Sequence, residues 1–275
     1  RVLTFALWFY NKKAENLKAA IDYFRQAIVL DPNLAEAYLE LGIAQRNEQR
    51  EFDEALICFE KARTLKPNEE GNSLEAAVYM EMGRTYQIQK RIDEAMQAFH
   101  KAVSLLNPLY ANHDDSKQGQ EDSPDFKAFV PPSIIFESVE VGGHLFPVIP
   151  PVTGKRPFWS VAIPAVNRPE YFPECLASVL AQWNGDDDME IVVLDNGSNP
   201  PLFDIVNALG QGIIRYYRFP KTIPLQPNWN TLVSLCRGQW IHLLQHDDIA
   251  LPGFYSRLKS SLEACPDSVG AAFTG

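Results

Sequence analysis

The most constraining feature of the chain is a pattern that occurs three times in its first 108 residues. Ala20, Phe24 and Ala27, followed by Pro32, recur as Ala55, Phe59 and Ala62 with Pro67, and again as Ala95, Phe99 and Ala102 with Pro108. The spacing Ala-x3-Phe-x2-Ala places all three side chains on one helical face. Upstream of the second and third copies stand Tyr38, Leu41 and Gly42, and Tyr79, Met82, Gly83 and Tyr86. Each unit therefore reads as two amphipathic helices. Small Ala and Gly allow close approach, the aromatic fills the gap beside them, and the proline ends the second helix. A period of this kind predicts a stacked helical array, because no single unit can bury its own apolar face. The repeat aromatics and alanines are read as plain core. Arg46, Arg50, Arg84 and Arg91 are expected on solvated helix faces.

The pattern stops after residue 108. Residues 109–156 are acidic and polar at first (HDDSKQGQEDSPD), then rich in Pro and Gly. They read as a linker with one edge strand, Ser133–Val141, closed by Gly142 and Gly143. Residues 157–275 alternate short apolar runs with helical patterns. The runs are Phe158–Pro164, Glu190–Leu194, Gly212–Phe219 and Trp240–Gln245, and VGAAF at the end looks like the start of a fifth. Continuous apolar strands between helices predict a parallel sheet covered on both faces. The fold class is thus α followed by α/β.

Composition removes several functions. Lys+Arg 25 against Asp+Glu 35 gives a net charge of −10, which argues against general nucleic-acid binding. No apolar run reaches the roughly 18 residues of a membrane helix, and the opening RVLTFALWFY has no cleavage site after it. A cytoplasmic location is expected. Cys58, Cys175, Cys236 and Cys265 lie far apart and signal neither a zinc site nor a disulfide framework.

Ligands of a parallel α/β sheet bind beyond the carboxyl ends of its strands, so those ends are where chemistry is sought. They carry Pro164, Ala165, Val166, Asn167 and Arg168, then Asp195, Asn196, Gly197 and Ser198, then Pro220 and Lys221, then His246, Asp247 and Asp248. Adjacent Asp247 and Asp248 repel unless a cation or donor groups lie between them. Their hard oxygens suit Mg²⁺ or Mn²⁺ bridging a diphosphate. An exposed loop whose Asp caps the next helix fits the same spacing. Asn196-Gly197 is a hairpin signal, but the helical stretch that follows it disfavours a hairpin. Neither GxGxxG nor GxxxxGK[ST] is present, which removes the main support for dinucleotide and P-loop readings.

Two resemblances follow. The first 108 residues resemble tetratricopeptide repeats. SVAIPAVNRPEYFPECLASVLAQ, EIVVLDNGSNP and NWNTLVSLCRGQWIHLLQHDDIALPGFYSRL together resemble, in order and spacing, the start of family 2 glycosyltransferases, which have the Rossmann-like GT-A fold. The resemblance implies sugar transfer from a nucleotide-diphosphate donor (a UDP- or GDP-sugar) with inversion and a divalent metal, Mn²⁺ or Mg²⁺. It implies that Pro164, Ala165, Asn167 and Arg168 line the nucleotide pocket and that Asp195, with Asn196 beside it, meets base or ribose. It further implies that Asn230, in the helix start Asn228-Trp229-Asn230, borders the donor sugar, and that Asp247 and Asp248 form the metal and diphosphate site. Asn196 and Gln245 stand where the family often has acids. The family's general base and acceptor site lie well past the acidic block, so the base is expected beyond residue 275 and the transferase domain is expected to be cut short. The repeats imply a protein or peptide partner. The alternative is a non-catalytic repeat scaffold with a degenerate transferase domain. A nucleotidyltransferase would need a Gly-rich basic loop after the first strand, which AVNRPEYF is not.

Overall fold

The computed structural model describes residues 17–65, 71–113, 138–141, 144–147, 152, 154–266 and 268–271. Its contacts form two compact units. One takes Arg1–Asp114, Arg168–Ala177 and Phe203–Gln211, and the other Asp115–Asn167, Ser178–Leu202 and Gly212–Gly275. Two helical segments from the second half of the sequence are therefore grouped with the repeats, a division the expected boundary at residue 156 does not follow.

In the first unit the repeats become helices α1 (Leu17–Leu30), α2 (Ala35–Ala44), α3 (Phe52–Thr64), α4 (Gly71–Ile88) and α5 (Ile92–Leu106). The partner helix expected before α1 lies outside the described residues. Phe24, Phe59 and Phe99 are each fully buried, and so are the alanines four residues before them. The glycines explain how the aromatics fit. A Cβ on Gly42 would lie 2.6 Å from the Phe59 ring, and one on Gly83 would lie 2.7 Å from the Phe99 ring. Each first helix thus gives up a side chain so that the ring of the second can lie against its backbone.

Two expectations change here. Arg46 is buried and Arg84 is half-buried. From a π-helical turn at Gln45–Gln49, Arg46 reaches Glu81 at 2.5 Å, with both side chains buried. Arg84 pairs with Glu81 and with Glu174. Acidic partners elsewhere in the fold draw them inward, and helical spacing alone cannot show that. Pro108 also does more than end a helix. It opens the short helix α6 (Pro108–Ala111), where its missing N–H costs nothing, and the Asn107 side chain accepts from the Leu109 and Tyr110 N–H groups.

In the second unit, β1 (Ser138–Val141) pairs antiparallel with β2 (His144–Pro147), so the expected lone edge strand is half of a hairpin. Residues 133–137 of that expected strand and the acidic linker lie outside the described residues. The sheet contains β3 (Trp159–Ala165), β4 (Met189–Asp195), β5 (Ile214–Arg218) and β6 (Trp240–Leu243), all parallel, in the order β5-β4-β3-β6. Helices α7 (Phe172–Leu180), α8 (Phe203–Gly210) and α9 (Leu225–Leu235) connect them, and α10 (Phe254–Glu263) follows. Every residue of β3 and β4 is buried, which the unbroken apolar runs anticipated. Val269, Gly270 and Ala271 form no strand, and the rest of the expected fifth lies outside the described residues.

A buried carboxylate locks the amino ends of the strands. Glu190 accepts from the Ser160 hydroxyl, the Arg237 backbone N–H, Arg237 Nε at 3.0 Å and Arg215 Nη1 at 2.8 Å. Gly238 closes the same corner, since a Cβ there would lie 2.5 Å from the Ser160 nitrogen. Burial alone would raise the Glu190 pKa, but these hydrogen bonds and the two guanidinium charges outweigh it and hold the carboxyl below its ordinary range.

Two outcomes test this packing. Gly83→Ala should lower stability by about 1–2 kcal/mol despite its better helix propensity, and adding Phe99→Leu should recover part of the loss in denaturant titrations. Because the folded-state pKa of Glu190 is depressed, its stabilisation is full above the ordinary carboxylate range and is lost as pH falls through and below it. Urea midpoints measured between pH 7 and 3 should fall more steeply for the native chain than for Glu190→Gln.

Candidate functional site

The chain runs from β3 to β4 to β5 in one direction and then crosses to place β6 on the other side of β3. The reversal lies between β3 and β6, where open α/β sheets bind their ligands. Pairing registers Ala165 with Asp195 and Ala162 with Leu243, and the Leu244 N–H donates to the Ala162 carbonyl at 3.0 Å. The segments after β3, β4 and β6 therefore leave the sheet at one edge.

Not all the expected site residues face outward there. Pro164 and Ala165 are buried in the strand, and Asn167 and Arg168 are exposed just beyond it. Both of the latter have left-handed backbones, with φ of 52° and 51°. Side chains disfavour that region, so two in succession store strain at this turn. The Asn167 N–H donates to Ser198 Oγ at 2.8 Å, and its side-chain oxygen accepts from the Asn199 N–H at 3.1 Å. The turn after β3 is thus tied to the turn after β4.

Asp195 is fully buried. One carboxylate oxygen accepts from the Ser198 N–H at 2.8 Å, and the other from the Leu202 N–H at 3.2 Å and the Tyr216 hydroxyl at 2.6 Å. Arg218 Nε lies 3.3 Å from the second oxygen and balances its charge. Burial, followed by the bond to Asp195, pushes the Tyr216 hydroxyl well above its ordinary pKa and keeps it a donor. Asn196, 5% exposed, donates its amide to the Ile223 carbonyl and accepts from the Ile223 N–H, both at 2.9 Å. Gly197 makes the approach possible, since a Cβ there would lie 2.5 Å from the backbone of Lys221 and Thr222. These two residues hold the turn after β4 against the turn after β5.

Asp247 and Asp248 are exposed on the turn that follows β6, where the Asp248 N–H donates to the Gln245 carbonyl at 3.0 Å. Among the described residues no three His, Cys, Asp or Glu side chains gather as a metal site. The adjacent pair thus offers two exposed carboxylates, a donor set that fits a hard cation whose remaining positions are filled by water and phosphate oxygens. His242 is half-buried, with its Nδ1 3.1 Å from the Tyr255 hydroxyl, and burial lowers its pKa.

Asn230 is half-buried on α9. Asn228 is only 2% exposed, and its side-chain oxygen lacks a hydrogen-bond partner. Four and eight residues later, Leu232 and Cys236 pack on Ala162, Val192 and Leu194, so Asn228 continues the sheet-facing side of α9 toward its first turn. A buried unpaired acceptor costs about 1–3 kcal/mol. Sequence reasoning named Ser198 as part of the turn after the second strand but did not single out Tyr216 or Arg218. The alternation in IRYYR puts Tyr216 and Arg218 on one face of β5, a signal that could have flagged them.

Comparison with known proteins agrees with the order of helical repeats and parallel sheet. A tetratricopeptide repeat model matches residues 76–105, and the glycosyl transferase family 2 model matches residues 160–275. The chain is 32% identical over 122 residues to an uncharacterized protein of Mycobacterium tuberculosis (strain CDC 1551 / Oshkosh), covering 44% of this chain and 37% of that protein. It is 32% identical over 100 residues to an uncharacterized glycosyltransferase of Methanocaldococcus jannaschii, covering 35% and 34%. A glycosyltransferase of PGL/p-HBAD biosynthesis from Mycobacterium bovis (strain BCG / Pasteur 1173P2) is 32% identical over 96 residues, covering 34% and 36%. The matched stretch spans little more than a third of each relative's own length. Residues 76–105 are thus a tetratricopeptide repeat, and residues 160–275 are a glycosyl transferase family 2 domain placed after it.

Proposed function

We propose that the domain binds a nucleotide-diphosphate sugar at the carboxyl edge of β3, β4 and β6 and serves an inverting sugar transfer. The observation that carries this reading is that the segments after β3, β4 and β6 leave the parallel sheet together at its topological reversal, within residues matched by the glycosyl transferase family 2 model. Asn167 and Arg168 are exposed at the strained turn after β3, where the guanidinium can pair with phosphate. Asp195 acts through the turn it holds, since both its oxygens are engaged within the protein. Asp247 and Asp248 would hold Mn²⁺ or Mg²⁺, which when bound would neutralise charge on the departing diphosphate. The repeats contribute a protein or peptide surface. No helix among the described residues is long and apolar enough to cross a membrane. A cytoplasmic site of action accords with that and with the supply of nucleotide sugars.

Titration calorimetry with UDP and GDP tests the reading. At least one should bind in the presence of Mn²⁺, and binding should be lost on adding chelator or on Asp248→Ala. Absence of binding to either nucleotide, with the metal present and the fold intact, would instead support a repeat scaffold carrying a degenerate domain. Asn228→Leu should raise the stability of the free protein by about 1 kcal/mol in denaturant titrations, because an unpaired buried acceptor is removed.

A further inference from the structure

Within the first unit, one face of the repeat is already occupied. Gly83 turns one side of α4 onto Phe99 of α5. Glu81, Arg84 and Gln87, spaced three residues apart, form a slanting polar stripe on the same helix, whose last member lies one turn after Gly83. The stripe is satisfied by the chain's own segment Arg168–Ala177. Arg84 Nε donates to Glu174 Oε1 at 2.6 Å, and Gln87 Nε2 donates to Glu174 Oε2 at 3.3 Å. In return the Gln87 side-chain oxygen accepts from the Glu174 backbone N–H at 3.3 Å. Glu174 is the third residue of α7, and the first turn of a helix has N–H groups without intrahelical partners. The stripe therefore reads two features of a helix start at once, an acidic side chain and a free backbone donor.

The stripe is also braced from behind. Glu81 is shared between Arg84 and the buried Arg46, which fixes the orientation of Arg84 before it meets Glu174. The same unit closes on the other captured segment, Phe203–Gln211. The hydroxyl of fully buried Tyr110 donates to the Leu209 carbonyl at 2.7 Å, in the last turn of α8. His100 lies 2.5 Å from the Gln211 amide nitrogen.

We propose that the Glu81–Arg84–Gln87 stripe of α4 is a docking surface for an acidic helix start and that its resident occupant is the first turn of this chain's own α7. Partner binding by the repeats then falls on other helix faces, and this repeat serves as an internal clamp. Hydrogen exchange on the full chain tests the clamp. Arg84→Glu should speed exchange of the Phe172, Glu174 and Cys175 amides at least tenfold with helical circular dichroism retained, and combining it with Glu174→Arg should restore protection to within about threefold. Gln87→Ala, a milder change, should speed the same amides several-fold and decides the matter if Arg84→Glu does not fold. A synthetic peptide FPECLASVL should bind the Glu174→Ala chain and not the native one. Unchanged exchange in both Arg84→Glu and Gln87→Ala, or equal peptide binding to native and Glu174→Ala chains, overturns the proposal.

Discussion

The carboxylate of Asp195 is the interaction on which the site edge depends. It ends β4 in a fully buried position, an expensive place for a charge unless donors and an opposite charge surround it. Ser198 and Leu202 supply backbone donors, Tyr216 a hydroxyl and Arg218 the balancing charge. Because these donors come from the turn after β4 and from β5, satisfying one carboxylate fixes both. Ser198, held in this way, accepts from the Asn167 N–H and so extends the constraint to the turn after β3. A nucleotide would meet an edge whose walls are already set, which reduces the ordering cost of binding.

Much of this was legible in the sequence because the relevant signals are periodic or punctual. The Ala-x3-Phe-x2-Ala spacing located the repeat core, and each of its nine residues is buried. Apolar runs placed the four strands to within a few residues, and the acids Asp195 and Asp247 lie at or just past the carboxyl ends of two of them. What could not be read was the direction in which a polar side chain turns. Asp195 and Asp247 look alike as strand-terminating acids, yet one is enclosed and the other exposed, because Tyr216 and Arg218 reach only the first. Arg84 reads as a surface residue on helical spacing, and its partner Glu174 stands 90 positions later. Long-range charge pairing leaves no local trace in composition or period.

The two units solve the same packing problem in different ways. In the repeats, close approach is obtained by omission, with glycine backbones laid against phenylalanine rings. At the amino ends of the sheet it is obtained by concentrating donors on Glu190, with Gly238 leaving room for them. The first device is apolar and indifferent to pH. The second depends on ionisation and fails in acid, so acid stress acts on the sheet and spares the interlocked rings.

Asn196 has a further electrostatic consequence. Its amide imitates a rung of backbone ladder, donating to and accepting from Ile223 with a single side chain. A carboxylate at that position could accept from the Ile223 N–H but would repel the neighbouring carbonyl, and it would add a negative charge to the carboxyl edge of the sheet. With Asp195 balanced by Arg218 and Asn196 neutral, the turn after β4 presents a closed surface of low charge. The unbalanced pair Asp247 and Asp248 is thereby left to concentrate the negative potential at the end of β6, where a cation would lower it and draw in a polyanion.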